Sequence, residues 1–314
     1  MKNDLLNIQA LKDRLGQVSA KIRVANDLDE KNRLTNEYNQ LWKRIGQATS
    51  TVVQSAEAAK SVQLDLFPEW ENNGKAAMPN TIARSSLFAS IRPGKRKIHD
   101  KSLIASRADA TIKYSGKQLD MADSDTFLQA IRVIEKYDLG ENIQIYPYAF
   151  LRDMGRGTGK KEKPGIREKR WLEASFDRLT AGTLEAHVPG QYRAVLHLID
   201  EYIHDEITNT YYIRMNPKII ALFRKEQYGL IDWAARREMS VPLAKWLQTY
   251  VATNKRSQEH SIGLEKLKLW CGQGHREIRK FRTALQNAID ELLKLKVLKT
   301  GSISEKDVFH YKRS

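Results

Sequence analysis

Cysteine is nearly absent, Cys271 being the only one. One thiol excludes an intramolecular disulfide and a zinc finger built on cysteines. It reads as a small buried residue rather than a reactive thiol, and its solitude fits a reducing, cytosolic location. No apolar run approaches the length that crosses a bilayer. The first residues give no signal peptide, because Asp4, Lys12, Asp13 and Arg14 interrupt any hydrophobic stretch. Histidine is sparse, at positions 99, 187, 197, 204, 260, 275 and 310, with no H-x-H pair and no H-E-x-x-H motif. Metal-assisted strand nicking therefore lacks its ligands. His197, between Leu196 and Leu198, reads as a structural residue on a strand. Asp200, Glu201, Asp205 and Glu206 read as polar strand ends, with no second acidic cluster to complete a two-metal site. Negative charge is also in deficit, with 38 Asp and Glu against 53 Lys and Arg in 314 residues, a net charge of +15. Such an excess draws polyanions, nucleic acid first and anionic membrane second. The 41% of hydrophobic residues suffices for packed cores.

What is present is periodic. Ile8, Leu11, Leu15, Val18 and Ile22 recur in steps of three and four, as do Leu34, Tyr38, Leu41, Ile45, Ala48 and Val52. The phase breaks at Asn26-Asp27-Leu28-Asp29. Residues 1–60 are therefore expected to form a helical hairpin or coiled-coil segment. They hold ten basic and seven acidic residues, so +12 of the net charge lies in 61–314. Pro68, Gly74, Pro79 and the asparagines at 72, 73 and 80 mark 68–80 as irregular, and 61–79 is expected to be a linker. Beyond it strands and helices mix. Ala110–Tyr114, Ser115-Gly116 and Lys117–Leu119 read as a hairpin. A helix capped by Asp123 or Ser124 follows, then a strand at Ile143–Tyr146, a short helix at Tyr148–Met154 and a helix from Gly165 to Ala181. Leu184–Val188, Arg193–Tyr202 and Tyr211–Met215 read as strands. The C-terminal part repeats the order. Helices are expected at Val241–Thr253, Leu264–Trp270 and His275–Leu295, and a strand pair at Val297–Thr300 and Val308–Tyr311. Helix, short helix, turn, long helix and hairpin is the order of a winged helix. The expectation is an α+β chain with two such domains, at 80–235 and 236–314, preceded by the helical region.

Two basic constellations lie on the expected recognition helices. The first, within Gly155–Arg170, is Arg156, Lys160, Lys161, Lys163, Arg167, Lys169 and Arg170, at the start of a helix whose dipole favours anions. It is not a nucleotide-binding P-loop: Met154 stands five positions before Gly159, and Lys161 follows Lys160 where Ser or Thr is required. The second is His275, Arg276, Arg279, Lys280 and Arg282. Arg276, Arg279 and Lys280 are expected on one face, opposite an apolar stripe of Ile278, Phe281, Leu285, Ala288, Ile289 and Leu292. Lys312 and Arg313 end the last strand, where a basic wing would straddle phosphates. Arg92, Lys95, Arg96, Lys97 and Lys101 read as a flexible phosphate-binding arm. In the linker, Gln63, Leu64, Asp65, Leu66 and Phe67 form a candidate docking peptide, with one polar anchor and three large apolar residues.

The segments Met78–Phe88 (MPNTIARSSLF), Ile112–Gly116 (IKYSG), Leu269–Gly272 (LWCG) and Val308–Arg313 (VFHYKR) resemble TrfA-type plasmid replication initiators. The resemblance spans about 78–313, and residues 1–60 do not obviously match. It implies tandem winged-helix domains that bind origin repeats (iterons) and open an A·T-rich segment. It also implies single-stranded origin DNA, the host initiator and the replicative helicase as partners. Gln63–Phe67 is similar to the pentapeptide with which bacterial proteins bind the DNA polymerase sliding clamp. The expected chain is a bacterial, plasmid-associated DNA-binding protein without enzymatic activity or cofactor, with self-association assigned to residues 1–60. The competing reading from the residues alone is a winged-helix transcriptional regulator.

Overall fold

The computed structural model describes residues 2–25, 27–57, 74–92, 94, 96–135, 137, 140–157, 164–217, 219, 222–223 and 227–314. The chain divides into two compact units, Met1–Leu66 with Gly140–Asn142 and Phe67–Leu139 with Ile143–Ser314.

The first unit contains two helices, α1 (Lys2–Val24) and α2 (Leu28–Glu57). Their seam buries Val18 and Ile22 of α1 against Leu34, Leu41 and Ile45 of α2. The expected phase break lies in the turn, where the Asp27 carboxylate accepts the Glu30 backbone N–H at 2.9 Å. Outside the seam, Arg14 pairs with Glu37 at 3.0 Å.

The second unit opens with β1 (Lys75–Pro79), α3 (Asn80–Ala83), β2 (Phe88–Ala89), β3 (Ile98–Ile104), β4 (Thr111–Lys117) and β5 (Leu119–Asp120). Then come α4 (Met121–Ile134), β6 (Ile143–Ile145), α5 (Pro147–Asp153), α6 (Ile166–Ala181), β7 (Thr183–Val188), β8 (Tyr192–His197), β9 (Glu201–Asp205) and β10 (Thr210–Arg214). The chain continues through β11 (Tyr228–Asp232), α7 (Trp233–Glu238), α8 (Pro242–Ala252), β12 (Glu259–Gly263), α9 (Leu264–Trp270), α10 (Ile278–Lys294), β13 (Leu298–Ile303) and β14 (Val308–Arg313).

One order of elements occurs twice: helix, strand, short helix, long helix, hairpin. It runs α4-β6-α5-α6-β7-β8 and again α8-β12-α9-α10-β13-β14. The local causes are visible. Asp120 caps α4, accepting from Ala122 and Asp123, while Asp123 accepts from Asp120 in return. Pro147 and Pro242 stand in the first turns of α5 and α8, where a missing N–H costs nothing. Helix α10 buries Phe281, Leu285, Ala288, Ile289 and Leu292 completely, each large side chain contributing about 1.5–3 kcal/mol.

Three expectations change. Residues 75–79 are not linker: β1 pairs antiparallel with β11 and buries Ala76, Ala77 and Met78. Residues 110–119 are not a hairpin, because Thr111–Lys117 is one strand, paired with β3 on one side and β7 on the other. Gly116 serves a close approach rather than a turn. A Cβ there would lie 2.9 Å from the buried Tyr114 hydroxyl, which donates to the Lys117 carbonyl. The expected strand at Arg193–Tyr202 divides in two. Leu198 and Ile199 are buried where the chain leaves the β3-β4-β7-β8 sheet for the β6-β10-β9 sheet.

The expected boundary after residue 235 falls inside α7, and the two repeats are joined there by buried polar bonds. Arg236, 1% exposed, donates to Asp125 of α4 at 2.7 Å, to Ser124 at 3.2 Å and to Thr249 at 2.8 Å. Lys245 reaches the other Asp125 oxygen at 2.6 Å. Burial alone would raise the Asp125 carboxyl, but Arg236 and Lys245 hold it below the usual carboxylate range. On the far side, Trp246 donates to the Ser85 carbonyl, and Gln273 and Ser90 join through paired hydrogen bonds. Cys271 is buried in that joint, and burial pushes its thiol up to about 11.

Candidate nucleic-acid interface

In the first repeat the basic residues separate into three groups. Arg156 is packed inward, its guanidinium 3.2 Å from the centre of the Trp171 ring. Burial lowers its pKa. Lys169 turns back toward the β9–β10 hairpin, bonding Asn209 and His204. Arg167 and Arg170 are exposed on the first turns of α6 and form no ion pair among the described residues. Glu168 closes that helix start by accepting the Gly165 N–H at 3.1 Å. Lys160, Lys161 and Lys163 lie outside the described residues. Their flanks are pinched together: a Cβ on Gly157, whose φ is +75°, would sit 2.6 Å from Pro164.

In the second repeat α10 begins at Ile278, later than expected. Arg276 therefore stands in the preceding turn, donating to Gln273 at 2.9 Å, rather than on a helix face with Arg279 and Lys280. Arg279 is exposed. Lys280 pairs with Glu277 at 3.1 Å, both largely solvated, so the pair releases Lys280 at little cost. Arg282 is committed elsewhere. It binds Asp307 and the Ser304 carbonyl and so fixes the β13–β14 turn. Arg313 is also internal, donating to the Ala252 and Asn254 carbonyls at the end of α8. Burial brings it down to about 10. Lys312 is half-buried on β14.

At Arg96 the expected basic arm is pinned rather than free. Arg96 binds Asp123 at 2.9 Å, Asp120 at 2.5 Å and the Gln118 carbonyl at 2.6 Å. Burial and the Asp123 charge raise the Asp120 carboxyl. Lys95 and the segment Gln63–Phe67 lie outside the described residues. Sequence reading missed the exposed Lys299 and Lys306 on the last hairpin. The signal was available, since both occupy positions where the strand pattern turns to solvent. Arg279, Lys280, Lys299 and Lys306 thus place four solvent-reaching cations on one helix and its following hairpin. Arg167 and Arg170 do the same on α6. Such faces hold polyanions by charge and leave the apolar stripe behind each helix in the core.

The family model described as TrfA protein matches residues 34–313. The chain belongs to the TrfA family. The plasmid replication initiator protein TrfA of Escherichia coli is 23% identical over 317 residues, covering 96% of this chain and 80% of that protein. A crystal structure of domains 2 and 3 of RctB superposes with a TM-score of 0.54 at 17% identity, over 75% of this chain and 98% of that one. It shares the fold. The TrfA match begins inside α2, so part of the helical region belongs to the family, contrary to the expectation that 1–60 stands apart. The segments that carried the resemblance are structural. Met78, Ile82, Leu87 and Phe88 are buried, and Gly272 meets Ala89 so closely that a Cβ would lie 2.5 Å from it. Among the described residues no helix is long and apolar enough to cross a membrane, and no three His, Cys, Asp or Glu gather to hold a metal ion.

Proposed function

We propose that this plasmid initiator binds double-stranded origin repeats through two winged-helix modules, α4–β8 and α8–β14. In each, the long helix enters the major groove and the hairpin contacts neighbouring phosphates. The observation that carries the reading is α10. Its first turn presents Arg279 and Lys280 to solvent, its opposite face is fully buried, and Arg282 anchors the adjacent hairpin. The reading assigns no catalytic step and no cofactor. Bound at the origin, the protein helps open the duplex and recruits the host initiator and helicase. Gln63–Phe67 docks on the sliding clamp, and the α1–α2 hairpin serves self-association or partner docking.

Footprinting on the cognate plasmid origin tests the central claim, with protection of a repeated sequence expected. Affinity should fall steeply with salt, because Lys and Arg contacts release counterions from the duplex. A random footprint with a flat salt response would defeat the reading. The clamp contact is tested separately by Leu66→Ala with Phe67→Ala, which should abolish clamp binding and leave melting unchanged.

A further inference from the structure

A cleft of about 530 Å³ opens beside β12, α9 and the end of α8. No residue of α6 or α10 lines it. Two columns of aromatic rings end at its walls. In one, Trp246 stacks on Tyr250 at 5.4 Å and 10°, and Tyr250 packs on Trp270 at 6.1 Å. In the other, Phe309 stacks on Tyr311 at 4.8 Å and 16°, and Tyr311 packs on His260 at 5.4 Å. The inner rings are buried, whereas the terminal ones, Trp270 and His260, are half-buried. The lining also holds two exposed cations, Lys266 and Arg107, and no carboxylate. Asp109 pairs with Arg84 at 3.1 Å and with Arg107 at 3.5 Å, a partly exposed contact that a phosphate can displace. The Tyr311 hydroxyl is held by Asn254 at 2.8 Å, and Lys266 and Arg107 give the cleft its positive charge.

Half-buried rings offer flat apolar area, and exposed cations attract an anion. A planar heterocycle joined to a phosphate supplies both within a volume of this size. We propose that this cleft binds a single nucleotide unit, its base against Trp270 and His260 and its phosphate between Arg107 and Lys266. None of Arg279, Lys280, Lys299 and Lys306 lines the cleft, although Val308 and Tyr311 of β14 do. It takes its cation Arg107 from the loop between β3 and β4 and its other named residues from the second repeat, so ligand bound there bridges that loop and the second repeat.

The full-length protein is titrated by calorimetry with a deoxynucleoside monophosphate, with the matching nucleoside and with inorganic phosphate. The monophosphate should bind about tenfold or more tighter than either fragment. Arg107→Ala with Lys266→Ala, and separately Trp270→Leu, should each weaken it by about tenfold. The first pair changes only exposed side chains and guards against misfolding of the second. Equal binding of monophosphate and phosphate would overturn the proposal. So would retained affinity in both variants, or no saturation by about 10 mM. A single-stranded oligonucleotide of about ten residues separates the two sources of the ligand. Much tighter binding that Trp270→Leu abolishes identifies a base within a strand, and affinity equal to the monophosphate identifies a free nucleotide. Duplex origin DNA is measured in parallel. Variants that lose the nucleotide yet keep the duplex fit the proposal. A wild type that binds nucleotide but not duplex defeats only the duplex reading.

Discussion

The two repeats share an order of elements but finish their sheets differently. In the second, β12 pairs with β14 and β14 with β13, so strand and hairpin close one three-stranded sheet. In the first, β6 pairs instead with β10 of an added hairpin, and β7–β8 joins β3 and β4 in a four-stranded sheet. The second repeat is complete within residues 242–313, whereas the first borrows strands from before α4 and after β8. The difference teaches where function can diverge. The compact repeat keeps its hairpin tied to its long helix through Arg282 and Asp307. The extended one has its hairpin built into a broad sheet, and its α6 cations follow the close contact of Gly157 with Pro164.

The strongest way to break the comparison is to cut the joint. Arg236→Ala leaves Asp125 buried with one partner fewer, and should cost about 3–5 kcal/mol. Scanning calorimetry reads both the loss and its form. Two resolved transitions would mean that the repeats fold separately once unjoined, and one lowered transition that they remain a unit. A second comparison sets the helices against each other. Arg279→Ala should cost about 1–3 kcal/mol of discrimination between origin and random duplex if it reaches base edges. Arg167→Ala, tested likewise, shows whether the first repeat reads sequence or holds phosphate, the latter lowering both affinities equally.

Acid provides a third probe of the joint. The Asp125 pKa is lower folded than unfolded, so its stabilisation is present above the ordinary carboxylate value near 4 and fades as pH falls through the folded value. Wild type should therefore lose stability faster than Asp125→Asn below about pH 4, measured by denaturant unfolding. Parallel curves would assign acid sensitivity elsewhere. The smallest effect is expected at Arg282→Ala. This partly exposed pair with Asp307 should contribute under about 1 kcal/mol to folding. Its removal should instead loosen the last hairpin, read as faster amide exchange at Ser304–Val308.

Much of this was legible in the residues. The α10 stripe and the α1–α2 seam follow one helical period, and each depends on neighbours close in sequence. The failures have another cause. β1 is a strand only because Tyr228–Asp232 lies alongside it, some 150 residues later. β12 lacks an apolar alternation, its Glu259-His260-Ser261 start being ordered by pairing with β14. Charge was legible but its partner was not. Arg96, Arg282 and Arg313 look like the other surface cations in the sequence, yet distant carboxylates or carbonyls occupy all three. The remaining candidates, Arg167, Arg170, Arg279 and Lys280, are those for which no such distant demand exists or the pairing is weak.

The Arg236–Asp125 joint has a consequence for the origin itself. With the repeats joined by these buried bonds, the protein acts as a fixed gauge under the duplex-binding function proposed above. The distance and rotation between the two contacted stretches of groove are set by the protein, not negotiated by a linker. One base pair inserted between those stretches turns the second by about a tenth of a helical revolution. Insertion of half a turn would place it on the opposite side of the DNA, where this chain cannot follow. Under that reading, repeats matched to this initiator keep a constant internal spacing, even where their bases vary.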